Sequence, residues 1–269
     1  MKIGASTILH RDRRLDRDLF REFQEAGIES LELTDYHPDF DYDELGAFAD
    51  LRSAIVDLSL HLNSLHIHLE IFNDYDLATL DDEQREKTLT AYRQAVDVMD
   101  ALGGGILVTH HIQIPEPDDA QHTEKRAAYI RNLGAVARYA APKTVSFAVE
   151  NTPRGYTRDP SRLVELIADL NESNVGVVID TGHRNILGDP VEALRIAGHH
   201  LMTLHLHDNH GEEDEHLLPG RADIDWDGVV GALDEIGYSG VFMYELNRSE
   251  DLTEIRSNAE QLLGSFTDC

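Results

Sequence analysis

Cysteine is almost absent from this chain of 269 residues, and the single one, Cys269, is the last residue. No intrachain disulfide can form, and nothing asks for an oxidising compartment. Lysine is scarce too, confined to Lys2, Lys87, Lys125 and Lys143, so the basic side is nearly all arginine. With 51 acidic residues against 23 basic ones the formal charge is −28. That balance repels nucleic acid and anionic lipid. The acids are scattered rather than blocked, which reads as a solvated acidic shell suited to high salt, where screening tames self-repulsion. A halophilic source is the expectation, and it weakens the charge argument against nucleic acid. Long apolar runs are missing as well. No secretory leader or membrane span is expected, and the expected location is the cytoplasm.

What is present is a regular alternation of short apolar runs and longer amphipathic ones. Strands are expected near Lys2–Ser6, Ser30–Thr34, Ser64–His68, Gly105–Thr109, Val145–Glu150, Val175–Asp180, Leu201–His205 and Val241–Glu245. They are short and rich in Val, Ile and Leu, as buried parallel strands are. Helical patterns fit Leu15–Ala26, Asp81–Leu102, Thr123–Ala141, Pro160–Asn171, Pro190–Gly198, Asp227–Ile236 and Leu252–Leu263. Pro160 and Pro190 stand where first-turn prolines belong, and Gly27, Gly103, Gly198 and Gly237 where helices stop. Eight strand–helix units with no composition break predict a single (β/α)8 TIM barrel over residues 1–269, a fold that typically takes roughly 250 residues. An open doubly wound sheet would carry a Gly-rich first turn, yet Thr7–Arg13 has no glycine. The run Gly103–Gly105 precedes a strand, so it is a turn at the barrel bottom and not a phosphate loop.

In such a barrel the chemistry sits where strands end. Four late strands end in groups that bind metals: Glu150, Asp180, His205 and Glu245. An ionised carboxylate on an apolar strand costs several kcal/mol if unpaired. One alone reads as well as a buried acid paired with a barrel arginine, but no Lys or Arg lies within these strands to offset three of them. A divalent cation would, and three oxygens with one imidazole suit Mn²⁺, Mg²⁺, Co²⁺ or Zn²⁺. More histidines surround the set: His66, His68, His110, His111, His183, His207 and His216, the last beside Asp214. A lone histidine is more often a satisfied polar residue than a ligand; several at the ends of strands that share one rim read otherwise.

Val149-Glu-Asn151, Ile179-Asp-Thr-Gly-His183, Leu204-His-Leu-His-Asp-Asn209, His216-Leu-Leu-Pro-Gly220, Asp223-Ile-Asp-Trp226 and Tyr244-Glu245 occur in this order. Together they resemble the xylose-isomerase-like TIM barrels, a superfamily that includes isomerases and epimerases of sugars and sugar phosphates and, more distantly, endonuclease IV. The resemblance implies that Glu150, Asp180, His205 and Glu245 bind one divalent metal. It further implies proton abstraction next to a carbonyl through a metal-stabilised enediolate, with Glu150 and Glu245 as the acid/base pair. His183 would contact the substrate beside the reacting atoms. His68, His110, His207, His216, Arg221 and Trp226 would line the substrate site, Trp226 helping to close the mouth. The partner would be a small sugar or sugar phosphate, and such barrels often pair as homo-oligomers.

The sequence departs from parts of the superfamily. Asn151-Thr152 follows Glu150 where xylose isomerase itself carries proline-lysine. Gly211 stands where the epimerases often carry a substrate-binding arginine, with Arg221 as a substitute. Two other readings stay open. An endonuclease IV-like zinc-dependent AP endonuclease would take additional zinc ions through His68, His110, His183, Asp214 and His216, although the chain lacks a basic, aromatic-bearing DNA surface. A non-catalytic metal- or sugar-binding barrel is the third, and the intact glutamate pair argues against it.

Overall fold

The computed structural model describes residues 1–69, 75–110, 113–247 and 250–264; His111 and Cys269 lie outside them. Eight parallel strands form the barrel: β1 (Lys2–Ser6), β2 (Ser30–Thr34), β3 (His61–His66), β4 (Gly105–Thr109), β5 (Val145–Glu150), β6 (Val175–Asp180), β7 (Leu201–His205) and β8 (Val241–Tyr244). The hydrogen-bonded order is β7-β6-β5-β4-β3-β2-β1-β8. The remaining seam, β7 to β8, closes just past the strand end. The Leu206 amide donates to Met243 O (2.9 Å) and the Glu245 amide to Leu206 O (3.2 Å).

The helices are α1 (Arg17–Glu25), α2 (Leu45–Asp57), α3 (Asp82–Leu102), α4 (His122–Ala140), α5 (Pro160–Leu170), α6 (Thr181–Asn185), α7 (Pro190–Ala197), α8 (Trp226–Glu235) and α9 (Leu252–Gly264). Part of the acidic excess has a local use here. Asp16, Asp81, Asp159, Asp189 and Asp225 each cap a helix N-terminus through the side chain, each contributing about 1 kcal/mol. Among the described residues, no helix is long and apolar enough to cross a membrane.

Two differences from the expected elements matter. The third strand begins and ends earlier than Ser64–His68, so His66 is its last residue and His68 lies on the loop beyond. Helix α2 was not singled out by periodicity, because its apolar residues run around the helix with only Phe48, Ala54 and Ile55 buried, and no side chain caps it.

Side chains alternate across each strand. Outward residues such as Leu31, Leu65, Phe147, Val177 and Phe242 join the large core under the helices. The barrel interior holds a much smaller apolar group, Val108, Ala148 and Val178, with Ile106 and Met202. Above it the interior turns polar, since Ser6, Glu32, Thr34, Ser64, His66, Glu150, Asp180, Thr203 and His205 are all buried. The barrel thus encloses a polar layer under its C-terminal mouth.

The β7–α8 connection is pinned by Asp208, which is fully buried. Its carboxylate accepts from the amides of Gly220 (2.8 Å), Ala222 (3.1 Å) and Ile224 (3.1 Å), from its neighbour Asn209 (3.0 Å), and from Trp226 Nε1 (2.9 Å). Charged hydrogen bonds are each worth about 1.5–3 kcal/mol, and donors left without a partner add to the loss. Asp208→Ala is therefore expected to cost at least about 3 kcal/mol, lowering the thermal midpoint by roughly 6–12 °C. Asp208→Asn, which keeps one acceptor oxygen, should lose less. Calorimetry of the two variants checks the order.

Candidate metal centre

The strand ends deliver three carboxylates to one imidazole. His205 Nδ1 stands 3.3 Å from Glu150 Oε2, 3.3 Å from Glu245 Oε2 and 3.9 Å from Asp180 Oδ2. All four residues are buried. The other face of the ring is spoken for: His205 Nε2 lies 3.0 Å from Glu32 Oε2, which also accepts from Ser64 Oγ at 2.7 Å. An Nε2–H held by Glu32 leaves the Nδ1 lone pair facing the carboxylates, the arrangement in which an outer carboxylate fixes a ligand histidine. Glu32 was missed in the sequence. The signal was the one used for the other three acids, a carboxylate on an apolar strand, but Ser30-Leu-Glu-Leu-Thr34 alternates like a half-exposed strand.

Asp180 engages both oxygens. Oδ1 caps α6 by accepting from the His183 amide (2.7 Å), and His207 Nε2 bridges both oxygens, 3.0 Å from Oδ1 and 3.1 Å from Oδ2. Its own amide donates to Asn151 Oδ1 (2.7 Å), and Asn151 Nδ2 returns a bond to Asp180 O (3.1 Å). This clamp ties the ends of β5 and β6 together and gives Asn151 its role. The glycine in Asp180-Thr-Gly-His183 is required by close approach: a Cβ on Gly182 would stand 1.9 Å from His207 Cε1.

Glu150 is the least satisfied of the group. Its oxygens lie 3.1 Å from His183 Nδ1, 3.3 Å from His205 Nδ1 and 3.4 Å from His66 Nε2. Neither oxygen completes a well-angled hydrogen bond, nor does His205 Nδ1 or His66 Nε2. Orphaned buried acceptors converging on one point are what a cation site looks like without its ion's charge in the balance. Ligands roughly 2.1 Å from an ion stand roughly 3.0–3.4 Å from one another, close to the spacings found. The residues therefore fit a divalent cation. Further groups whose ligand atoms all lie within 4.8 Å are His183, Asp214 and His216, and His66, His68 and His110.

Charge is balanced internally. Burial favours the neutral form of Glu150, but His205, His183 and His66 outweigh it and hold the carboxyl well below its ordinary range. Burial acts on Glu245 likewise and is overcome by His205, then His66, so it too stays ionised. Burial disfavours imidazolium at His205, yet Glu245, Glu32 and Glu150 raise it well above the usual histidine value. His183 is raised in the same way by Asp180, Asp214 and Glu150. His216 is pushed up to about 9, the Asp214 hydrogen bond and the charges of Glu245 and Asp214 overcoming burial.

Glu150, Glu245, His66, His183 and His216 form the floor of a cavity of ≈ 450 Å³, whose walls include Ile8, Arg11, Tyr36, His110, Arg154 and Asp214, while Asp180 and His205 are buried and do not line it. His68, also on the wall, bonds Asp35 Oδ1 (2.6 Å) and packs against Tyr36, ring centroids 3.9 Å apart. Asp214 Oδ2 sits 3.2 Å from both His183 Nε2 and His216 Nε2. His216 reaches it from a left-handed backbone (φ 51°).

Three residues expected at the substrate do not line this cavity. His207 is fully buried on Asp180 and stacked on His216, ring centroids 3.9 Å apart. Trp226 is buried with its indole N–H committed to Asp208, so it anchors the loop instead of closing the mouth. Arg221 is drawn away by Glu250 and Glu254.

A closed barrel with a buried carboxylate–imidazole centre at its mouth defines a class of metal-ready α/β barrels. The model for xylose isomerase-like TIM barrels matches residues 20–267, and the chain belongs to that family. It is 30% identical over 200 residues to an uncharacterized protein of Methanocaldococcus jannaschii, covering 71% of this chain and 68% of that one. It is 28% identical over 179 residues to the D-psicose 3-epimerase of Enterocloster bolteae, covering 63% and 57%. Among solved structures, a D-tagatose 3-epimerase-like protein superposes with a TM-score of 0.85 at 23% identity, over 100% of this chain and 99% of that one.

Gly182→Ala tests the packing beneath the site. The added methyl must displace His207 or α6, a strain of about 1–3 kcal/mol, and α6 carries His183. The expected outcome is a lower thermal midpoint together with loss of the His183–Asp214 contact in the variant's crystal structure.

Proposed function

We propose that this chain is a divalent-metal-dependent isomerase or epimerase of a carbohydrate. Glu150 and Glu245 are its acid/base pair, and Glu150, Asp180, His205 and Glu245 are the ligands of one Mn²⁺, Mg²⁺, Co²⁺ or Zn²⁺ ion. One observation carries the reading: two buried, ionised glutamates from separate strands, each 3.3 Å from the same imidazole nitrogen, at the floor of a cavity of ≈ 450 Å³. A cavity of that size suits a monosaccharide. The relatives named as epimerases support the same class.

A bound cation would supply fixed positive charge beside a carbonyl and its neighbouring hydroxyl, where negative charge develops when the intervening C–H is broken. One glutamate takes that proton as a carboxylate. The other, protonated by the His66 imidazolium that lies 3.2 Å from Glu245 Oε1 and 3.4 Å from Glu150 Oε2, returns one to the carbon, and the first glutamate's proton restores the imidazolium. Delivery from the opposite face inverts the centre. His183, His216 and Asp214, linked at the rim, are hydroxyl partners that orient the sugar. Burial of the floor keeps competing water from the glutamates.

One observation favours a second reading. The His183–Asp214–His216 and His66–His68–His110 groups offer room for further zinc, as an endonuclease IV-like enzyme acting at abasic sites would need. Metal analysis separates the two: one ion per chain supports the carbohydrate enzyme, whereas three zinc ions with cleavage of abasic-site DNA support the nuclease.

Glu150→Gln and Glu245→Gln should each reduce exchange of a ketose α-proton with solvent deuterium by at least about a hundredfold, with circular dichroism unchanged. Activity surviving in both variants rules out the two-glutamate mechanism. Metal binding itself has a proton signature. A cation must displace the proton of its ligand His205, whose pKa is raised well above the usual histidine value, and its charge disfavours the protonated forms of the neighbouring His183, also raised, and His216, raised to about 9. Apparent affinity should therefore climb between about pH 7 and 9, and calorimetry in buffers of different ionisation enthalpy should record proton release. A pH-independent affinity would contradict the assigned ligands.

A further inference from the structure

Two arginines far apart in sequence both line this cavity. Arg11 follows a 3₁₀ turn, Thr7–His10, beyond β1, and Arg154 lies on the β5–α5 loop. In an eight-strand barrel β1 and β5 stand opposite each other, so the two side chains approach from opposite sides. Both are held at their bases. The Arg11 amide donates to Ile8 O (3.1 Å), and its guanidinium lies over the Tyr36 ring, 5.7 Å from the centroid. The carbonyl of Arg154 accepts from Thr152 Oγ1 (2.7 Å), which is itself 2.9 Å from Thr157 Oγ1.

Neither guanidinium forms an ion pair among the described residues, in a chain with 51 acids to 23 bases. Most described arginines elsewhere are claimed, Arg13 by Glu22, Arg126 by Asp169, Arg162 by Glu116 and Arg221 by Glu250 among them. Arg52, Arg93, Arg131 and Arg184 also lack an ion pair among the described residues, but none of them lines this cavity. The mouth is also short of acid for this surface. The cavity wall carries three carboxylates, Glu150, Asp214 and Glu245, against five imidazoles and the two guanidiniums. The groove between α1 and α2 carries five carboxylates, Asp16, Asp39, Asp41, Glu44 and Asp50, against two guanidiniums. The three carboxylates at the mouth face histidines within 3.4 Å, so the arginines are left as uncommitted positive charge.

We propose that Arg11 and Arg154 form an anion subsite, and that the carbohydrate handled here carries a phosphate or carboxylate group at the end remote from Glu150 and Glu245. The inference rests on the carbohydrate reading above. Guanidinium is suited to such groups, since its fork of donors matches their oxygens. In a molecule with a charge of −28 the pair also offsets, at the entrance, a field that otherwise repels an anionic substrate.

The test is calorimetric binding of D-fructose, D-fructose 6-phosphate and D-gluconate to the Mn²⁺-loaded protein at fixed salt. At least one of the two anions should bind at least about tenfold tighter than D-fructose, and which one does so distinguishes phosphate from carboxylate. Arg11→Gln and Arg154→Gln should each reduce that preference at least about threefold, with metal content unchanged and binding of the anion weakened more than that of D-fructose. Equal binding of all three compounds by the unmodified protein overturns the subsite. So does a pair of variants that weaken D-fructose and its phosphate alike. Deuterium exchange into D-fructose without any preference for an anion would sink the subsite and leave the epimerase reading intact. A clear preference for an anion with no exchange into any sugar would sink the epimerase reading and leave the subsite.

Discussion

Three buried carboxylates converging on one imidazole nitrogen set the terms for everything around them. Glu150, Asp180 and Glu245 reach the barrel interior from separate strands without a lysine or arginine beside them, and His205 is the common neighbour. An unbalanced cluster of this kind would oppose folding by several kcal/mol per charge. The surrounding protein answers with protonated histidines, with the Asn151 clamp on Asp180, and with Glu32 on the far side of the His205 ring. The result is a site held by imidazolium–carboxylate pairs, with a set of donors that fits a cation.

The scaffold repeats this logic with less charge. Asp208 gathers backbone amides and an indole so that a long loop, which would otherwise leave buried donors unpaired, can present Asp214 and His216 at the rim. Asp180 caps α6 and by doing so aims His183 at the same rim. Acidic side chains in this protein are therefore of three kinds: solvated surface, structural acceptors for backbone amides, and the buried cluster at the cavity floor.

Most of the barrel was legible because its strands are buried on both faces and read as short apolar runs with a polar last residue. β1, β2, β4, β5, β6 and β7 carry the expected bounds, and the four central site residues stand on or just past strand ends. What was hidden depends on three-dimensional neighbours. Glu32 sits in a strand that alternates innocently, and only the approach of β7's histidine gives it meaning. His207 and Trp226 carry the residue types of a substrate wall, but burial under α6 and the pull of Asp208 assign them to support. Arg11 and Arg154 had no signal at all, since nothing in either local sequence refers to the other.

The barrel's closure has a consequence of its own. Between β7 and β8 there is no regular ladder, only the pairing of Leu206 with the end of β8. His205 and Glu245 stand on the two sides of that seam. Anything that grips both at once works as a clasp on the cylinder, so occupancy of the centre and integrity of the ring become one equilibrium. Amide exchange at Leu206 and Glu245 would register an empty centre before the rest of the fold did.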